Sequence, residues 1–176
     1  TILAYDATTG SRQWSYSFGV DVGHSSPVID NSEGLIYIAA NELVALSITT
    51  GKPVWSTSFL GANAGAAPTF DENHVYVCGG DGNVYAVGRP AGPIVTEPIW
   101  KFQSADVSIV GDPIIVDDWL ITVTLVGHVY VFDIESGIRI AEITLPCEVR
   151  SMPVAVDDYI YIAGCGGDIY CLEIFT

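Results

Sequence analysis

Short apolar runs recur along the chain and are punctuated by Gly, Pro, Asp and Ser/Thr. Four segments align at once: Ser25-Ser26-Pro27-Val28-Ile29-Asp30, Ala66-Ala67-Pro68-Thr69-Phe70-Asp71, Gly111-Asp112-Pro113-Ile114-Ile115-Val116-Asp117 and Ser151-Met152-Pro153-Val154-Ala155-Val156-Asp157. Their prolines lie 41, 45 and 40 residues apart. A second run follows each (Leu35–Ile38, His74–Val77, Trp119–Thr122, Tyr159–Ile162), and then a third (Leu43–Leu46, Val84–Val87, Val129–Phe132, Ile169–Leu172). The runs are rich in β-branched and aromatic residues and bounded by turn signals such as Gly79-Gly80-Asp81-Gly82-Asn83, which is how strands read. No stretch carries a 3.6-residue period with helix caps.

A period of this length marks a repeat architecture. Three strands per unit, with a fourth ending at Trp14, Trp55 or Trp100, make a four-stranded antiparallel sheet, the blade of a β-propeller. The expected fold is therefore all-β, with about four blades in one continuous segment over residues 1–176. The repeats fall near 1–18 (partial), 24–58, 65–102, 110–145 and 150–176. The chain opens on a third and fourth strand (Ile2 to Asp6, Gln13 to Phe18) and closes on a third (Ile169 to Ile174), so a neighbour that completes the propeller is expected.

The link between third and fourth strands carries a family resemblance. Ala4-Tyr5-Asp6-Ala7-Thr8-Thr9-Gly10-Ser11-Arg12-Gln13-Trp14 resembles the tryptophan-docking motif AxDxxTGxxxW of quinoprotein (PQQ-like) dehydrogenase repeats. Ala45 to Trp55 repeats it with Ser47 in place of Asp, around Gly51. Asp133 and Gly137 keep the motif while Ala141 stands where Trp would fall; a proline-rich insertion (Pro90, Pro93, Pro98) stretches the third copy, which retains Gly92 and Trp100. Gly tolerates φ > 0 at the turn, Asp or Thr bonds nearby amides, and Trp is a flat wedge whose N–H can reach a carbonyl. Asp6, Gly10, Trp14, Gly51, Trp55, Gly92, Trp100, Asp133 and Gly137 are thus expected to be staples between blades.

In the dehydrogenases this resemblance points to, the cofactor needs a complete ring, a calcium-type ion held by carboxylate and amide groups, an Asp base and a disulfide between adjacent cysteines. No two cysteines are adjacent here. No cofactor is therefore expected, and PQQ with Ca²⁺ belongs only to the alternative reading, a fragment of a PQQ-dependent alcohol or sugar dehydrogenase. The preferred reading is a non-catalytic binding or scaffolding module that contacts a protein or cell-surface partner.

Charge narrows the partners. Six Lys plus Arg against 21 Asp plus Glu give a net −15, which repels phosphate backbones and anionic membrane surfaces, so nucleic acid is not expected. Membrane insertion is not expected either, because the longest apolar stretch, Trp119 to Phe132, is interrupted by Thr122, Thr124, Gly127 and His128. Such a surface suits a secreted or cell-surface protein, a salt-adapted host or a cation-binding protein, and an extracytoplasmic setting is the expectation. Loops on a rigid scaffold usually carry binding. In this fold one face is built by loops entering first strands and by turns between second and third strands. Asp21, His24, Asn63, Asp81, Asn83, Asp106, His128, Glu148, Arg150 and Asp168 are its candidate contacts. The three histidines form no HxH or HxxxH pair, and no metal site is expected from them. The four cysteines lack CxxC spacing and read as small buried hydrophobes in strands. Antiparallel order places Cys147 and Cys165 at one end of the last blade, making them candidates for a disulfide in an oxidising compartment.

Overall fold

A computed structural model of the chain describes residues 1–19, 25–57, 59–60, 66–89, 93–104, 109 and 111–174. Every regular element among them is a strand. The first sheet is an antiparallel pair, β1 (Ile2–Tyr5) and β2 (Arg12–Tyr16). The second holds β3 (Val28–Asp30), β4 (Leu35–Ala39), β5 (Leu43–Ser47) and β6 (Pro53–Thr57) in chain order. The third holds β7 (Thr69–Phe70), β8 (His74–Cys78), β9 (Asn83–Gly88) and, after an excursion through β10 (Ile94–Val95), β11 (Trp100–Gln103). The fourth is β12 (Ile114–Val116), β13 (Trp119–Val123), β14 (His128–Asp133) and β15 (Arg139–Thr144). The fifth is β16 (Val154–Val156), β17 (Tyr159–Ala163) and β18 (Ile169–Glu173). These are propeller blades, partial at both ends and complete in the middle three.

One turn geometry joins second to third strands. Gly79 N–H donates to the Asn83 carbonyl (2.8 Å), Thr124 to His128 (2.9 Å) and Gly164 to Asp168 (2.9 Å). Each turn places a glycine with positive φ before its third strand: Gly82 at +79°, Gly127 at +92° and Gly167 at +91°. At Gly127 a Cβ would also strike the carbonyls of Leu145 and Cys147, so the residue is required twice over.

The middle strands read as unbroken apolar runs because both faces of an interior blade are covered. Tyr37, Leu43, Val44, Ala45 and Leu46 are all fully buried, as are Val75, Tyr76, Val77 and Cys78. Successive cores fill the gaps: Ile36, Ile38, Val44 and Leu46 against Ile2, Trp14 and Tyr16; Tyr37 and Leu43 against Val75 and Val77; Tyr76 and Val84 against Leu120 and Phe132; Ile121 and Val129 against Ile160 and Ile162. The last blade is covered on one side, and β17 alternates exposed and buried residue by residue.

Two expectations change. Fourth strands do not end at their Trp: Trp14 and Trp55 sit mid-strand, and Trp100 opens β11. The proline-rich insertion is also a structural element. Its β10 lies parallel on the outer edge of the preceding blade, pairing Ile94 with Ser56 and Val95 with Thr57, and Ser56 N–H donates to the Pro93 carbonyl at 3.1 Å. The insertion is a strap that ties the third blade to the second and covers an open strand edge.

Candidate functional site

The interblade seams are built by the docking motif. Asp6 accepts the amides of Thr8 (2.9 Å) and Thr9 (2.7 Å), which sets the turn that Gly10 completes at φ +68°. Trp14 Nε1 donates to the Ile48 carbonyl of the next blade at 2.8 Å, and its ring lies on Gly51, where any Cβ would collide with it. Trp100 repeats the arrangement, donating to the Ile134 carbonyl at 3.1 Å with its ring on Gly137. Asp133 shapes that turn by accepting from Ser136 N–H at 2.8 Å. Trp55, 3% exposed, is packed with Val75, Val77, Tyr85 and Val87 of the third blade, its ring 5.8 Å from Tyr37. Gly92 lies outside the described residues.

Buried carboxylates reinforce the seams. Asp30, buried at the first hairpin of the second blade, pairs with Arg89 of the third at 2.9 Å and accepts the Tyr37 hydroxyl at 3.2 Å. Arg89 also donates to the Asp71 carbonyl and stands over the Phe70 ring, 5.3 Å from its centroid. Burial works to raise the Asp30 carboxyl, but hydrogen bonds from Ser32 and Glu33 and the Arg89 charge hold it below the usual carboxylate range. Burial pushes the Tyr37 hydroxyl up to about 12. In the third blade Tyr76 donates to Asp71 at 2.7 Å, and Asp71 also accepts the amides of Asn73 and His74. Asp112, at the entry to the fourth blade, accepts Ala67 N–H of the third at 2.6 Å, and burial raises its carboxyl. Neither Arg89 nor Asp112 stood out in the sequence, because their partners lie on other repeats.

The candidate binding-face loops are placed as follows. Asp21, His24, Asn63 and Asp106 lie outside the described residues. Asp81 is exposed at the turn and binds the buried Asn83 and Tyr85, with Asn83 Nδ2 at 2.5 Å and Tyr85 Oη at 2.6 Å from Asp81 Oδ2. His128 contacts the Tyr130 hydroxyl (3.2 Å) and approaches Glu142 (3.6 Å). Glu148 and Arg150 form an exposed pair at 3.5 Å, and Asp168 is exposed in the last turn. Among the described residues no three His, Cys, Asp or Glu are placed to hold one metal ion. The candidates are thus distributed one blade at a time.

The Cys147–Cys165 disulfide is not formed. Cys147 Sγ points at Gly164, where it would meet an added Cβ, and interacts with the Tyr170 hydroxyl, while Cys165 is exposed and free. The backbones do approach, with Cys165 N–H on the Glu148 carbonyl at 2.8 Å, yet both thiols are free. Of the four, Cys78 in β8 is the buried strand residue expected; Cys171 is exposed in β18, and Cys147 and Cys165 lie in the connections outside the strands.

Two further features belong to the seams. Between third and fourth blades a cleft of about 420 Å³ is lined by Asp71, Glu72, Asp117, Asp118 and Glu135 around His74 and Tyr76. Between fourth and fifth blades an apolar slot of about 250 Å³ opens beside Ala141.

The sequence model of the family described as outer membrane protein assembly factor BamB matches residues 1–176, the whole chain. The chain belongs to that family, whose PQQ-like repeat accounts for both the blades and the docking tryptophans. The crystal structure of BamB from Moraxella catarrhalis superposes with a TM-score of 0.75 at 20% identity, covering 97% of this chain and 51% of that one. The computationally designed Ika4 protein superposes at 0.71 with 15% identity, covering 86% of this chain and 92% of the design. These two likenesses speak to fold. A curated relative, the beta-alanine-activating enzyme of Danio rerio, is 31% identical over 141 residues, 75% of this chain and 11% of that protein. The chain therefore spans about half of the BamB structure and about a tenth of the zebrafish enzyme.

Proposed function

We propose that this BamB-like segment is a non-catalytic binding and scaffolding module, and that it engages protein through the faces of its terminal blades. One observation carries the reading. The outer face of the last blade presents Val154, Val156, Tyr159, Tyr161 and Ile169, the last 73% exposed. The same positions of the fourth blade hold Ile114, Val116, Trp119, Ile121 and Val129, which pack on or line the seam with the fifth. A surface of that build takes another sheet of like build. The first blade offers the counterpart in Leu3 and Tyr5, at the positions where Val44 and Leu46 are buried in the second. Further blades of the same repeat, in a longer chain or a second copy, are the fitting partner.

The polar groups of the repeat support a structural role. Asp6 and Asp133 shape turns, Asp30 and Asp112 tie blades together, and the indoles of Trp14 and Trp100 hold neighbouring carbonyls. The match to a tenth of an enzyme named for β-alanine activation fits a propeller carried as one module of a longer protein. An extracytoplasmic location, in keeping with the −15 charge, is part of the same proposal. The rival, a piece of a PQQ-dependent dehydrogenase, is separated by calorimetry of the chain with PQQ and Ca²⁺. No saturable heat and no dye-linked alcohol oxidation are expected. A stoichiometric binding isotherm would replace the scaffold with the enzyme.

A further inference from the structure

The fourth strands of the blades differ in how their outer edges are guarded. A sheet edge is a row of unpaired N–H and C=O groups, and charged side chains along it deter a stray strand. Arg12 stands in β2, Lys101 in β11, and Arg139 with Glu142 in β15. Strand β6 reads Pro53-Val54-Trp55-Ser56-Thr57 and carries no charge. Among the described residues it is also the fourth strand that has a cover, the strap strand β10. The unguarded edge and the cover coincide.

The cover is slight. Ile94 and Val95 alone enter the ladder, against Ser56 and Thr57, and Ser56 N–H donates to the Pro93 carbonyl at 3.1 Å. Ile94 is 63% exposed, whereas Val95 packs on the core shared by the second and third blades. Val54, nearer the start of β6, is left 47% exposed. A segment held by so short a ladder and one half-buried side chain belongs to the low-stability end of a protein, where local opening costs little. Once open, β6 offers backbone partners for a parallel strand and the seat of Val95 for one apolar side chain. Those are the two elements of peptide capture by strand addition.

We propose that the outer edge of β6 is a strand-docking site for an extended peptide segment in which proline precedes two β-branched apolar residues. The strap is its resident occupant and holds the site closed. The incoming segment takes the parallel register of Ile94 and Val95, with its proline carbonyl accepting Ser56 N–H. The site lies on the second blade and uses neither terminal face, so it goes beyond the scaffold reading and is tested apart from it.

The test is a fluorescence-anisotropy titration of the full chain with a labelled peptide of residues 93–98, Pro-Ile-Val-Thr-Glu-Pro. The double variant Ile94→Asp/Val95→Asp opens the strap, and Ile94→Gly/Val95→Gly serves the same purpose should the first not fold. Saturable binding is expected in the opened chain, about ten-fold or more tighter than in the parent, where the closed strap lowers the competent fraction. The same peptide N-methylated at its Ile and Val lacks the N–H groups of a ladder strand and is expected not to bind. Ser56→Pro, which an edge strand tolerates, removes the N–H that meets the proline carbonyl and is expected to abolish binding in the opened chain. Absence of saturable binding to a folded, opened chain would overturn the proposal. Equal affinity in parent and opened chains, or undiminished binding of the N-methylated peptide, would do so as well.

Discussion

Asp30 and Arg89 form the most deeply placed ion pair among the described residues. Asp30 is 2% exposed and Arg89 17% exposed in their side chains. Removing one partner leaves a charge without compensation inside the seam, so Arg89→Ala is expected to cost about 3–5 kcal/mol in denaturant unfolding. Asp112 calls for the opposite expectation. Burial holds its carboxyl above the ordinary 3.8, so the folded state binds that proton more tightly than the unfolded chain does. The ionised form therefore opposes folding at neutral pH. Asp112→Asn keeps an oxygen for Ala67 N–H and is expected to raise the denaturant midpoint at pH 7. That gain should vanish as pH falls below about 3.8. A midpoint lowered at pH 7 would show that the carboxylate is favourable where it stands. The repeated Asp after each first strand was legible in the sequence. Its pairing with Arg89 was not, because nothing local distinguishes that arginine from a solvated one.

At the scale of elements the blade was readable because its signals are local. Apolar runs, glycine turns and the Gly-x-x-x-Trp spacing all fall within one repeat, and the structure places Trp14 and Trp100 on Gly51 and Gly137. Truncating either tryptophan to Ala is expected to cost about 3 kcal/mol. Phe keeps most of the wedge and loses only the carbonyl contact, about 1 kcal/mol. Equal losses for Ala and Phe in urea unfolding would shift the credit from ring to hydrogen bond. The strap was not legible, since a proline-rich stretch has no period to follow, and only the tertiary pairing of Ile94 and Val95 with β6 reveals it. Strand ends were misplaced for a related reason. A docking Trp looks like a terminator, yet its ring projects from a strand that continues to Tyr16 in β2 and Thr57 in β6.

For the whole molecule, part of the acidity follows from the repeat. Asp6, Asp30, Asp71 and Asp133 recur because a turn carboxylate accepts amides or hydroxyls, and with Asp81 their carboxyls are held below the usual range. A lowered carboxyl contributes stability that is complete above its unfolded value and is lost as pH falls through the folded one. Stability is therefore expected to decline once pH drops below about 3.8, in a transition followed by far-UV signal. The net charge of −15 names no ligand. What the sequence conveyed about the ends of the chain was strand count; the structure adds the chemistry of the exposed faces. Val154, Val156, Tyr159, Tyr161 and Ile169 at one end, and Leu3 with Tyr5 at the other, are apolar rows in register with buried ones. Leaving both in water is costly and invites association. Sedimentation velocity of the 176-residue chain at micromolar concentration tests this most directly. Reversible self-association is expected, suppressed by Tyr161→Asp with Ile169→Asp. A sharp monomer that unfolds cooperatively and binds no hydrophobic dye would contradict the claim that these faces are built to receive another blade.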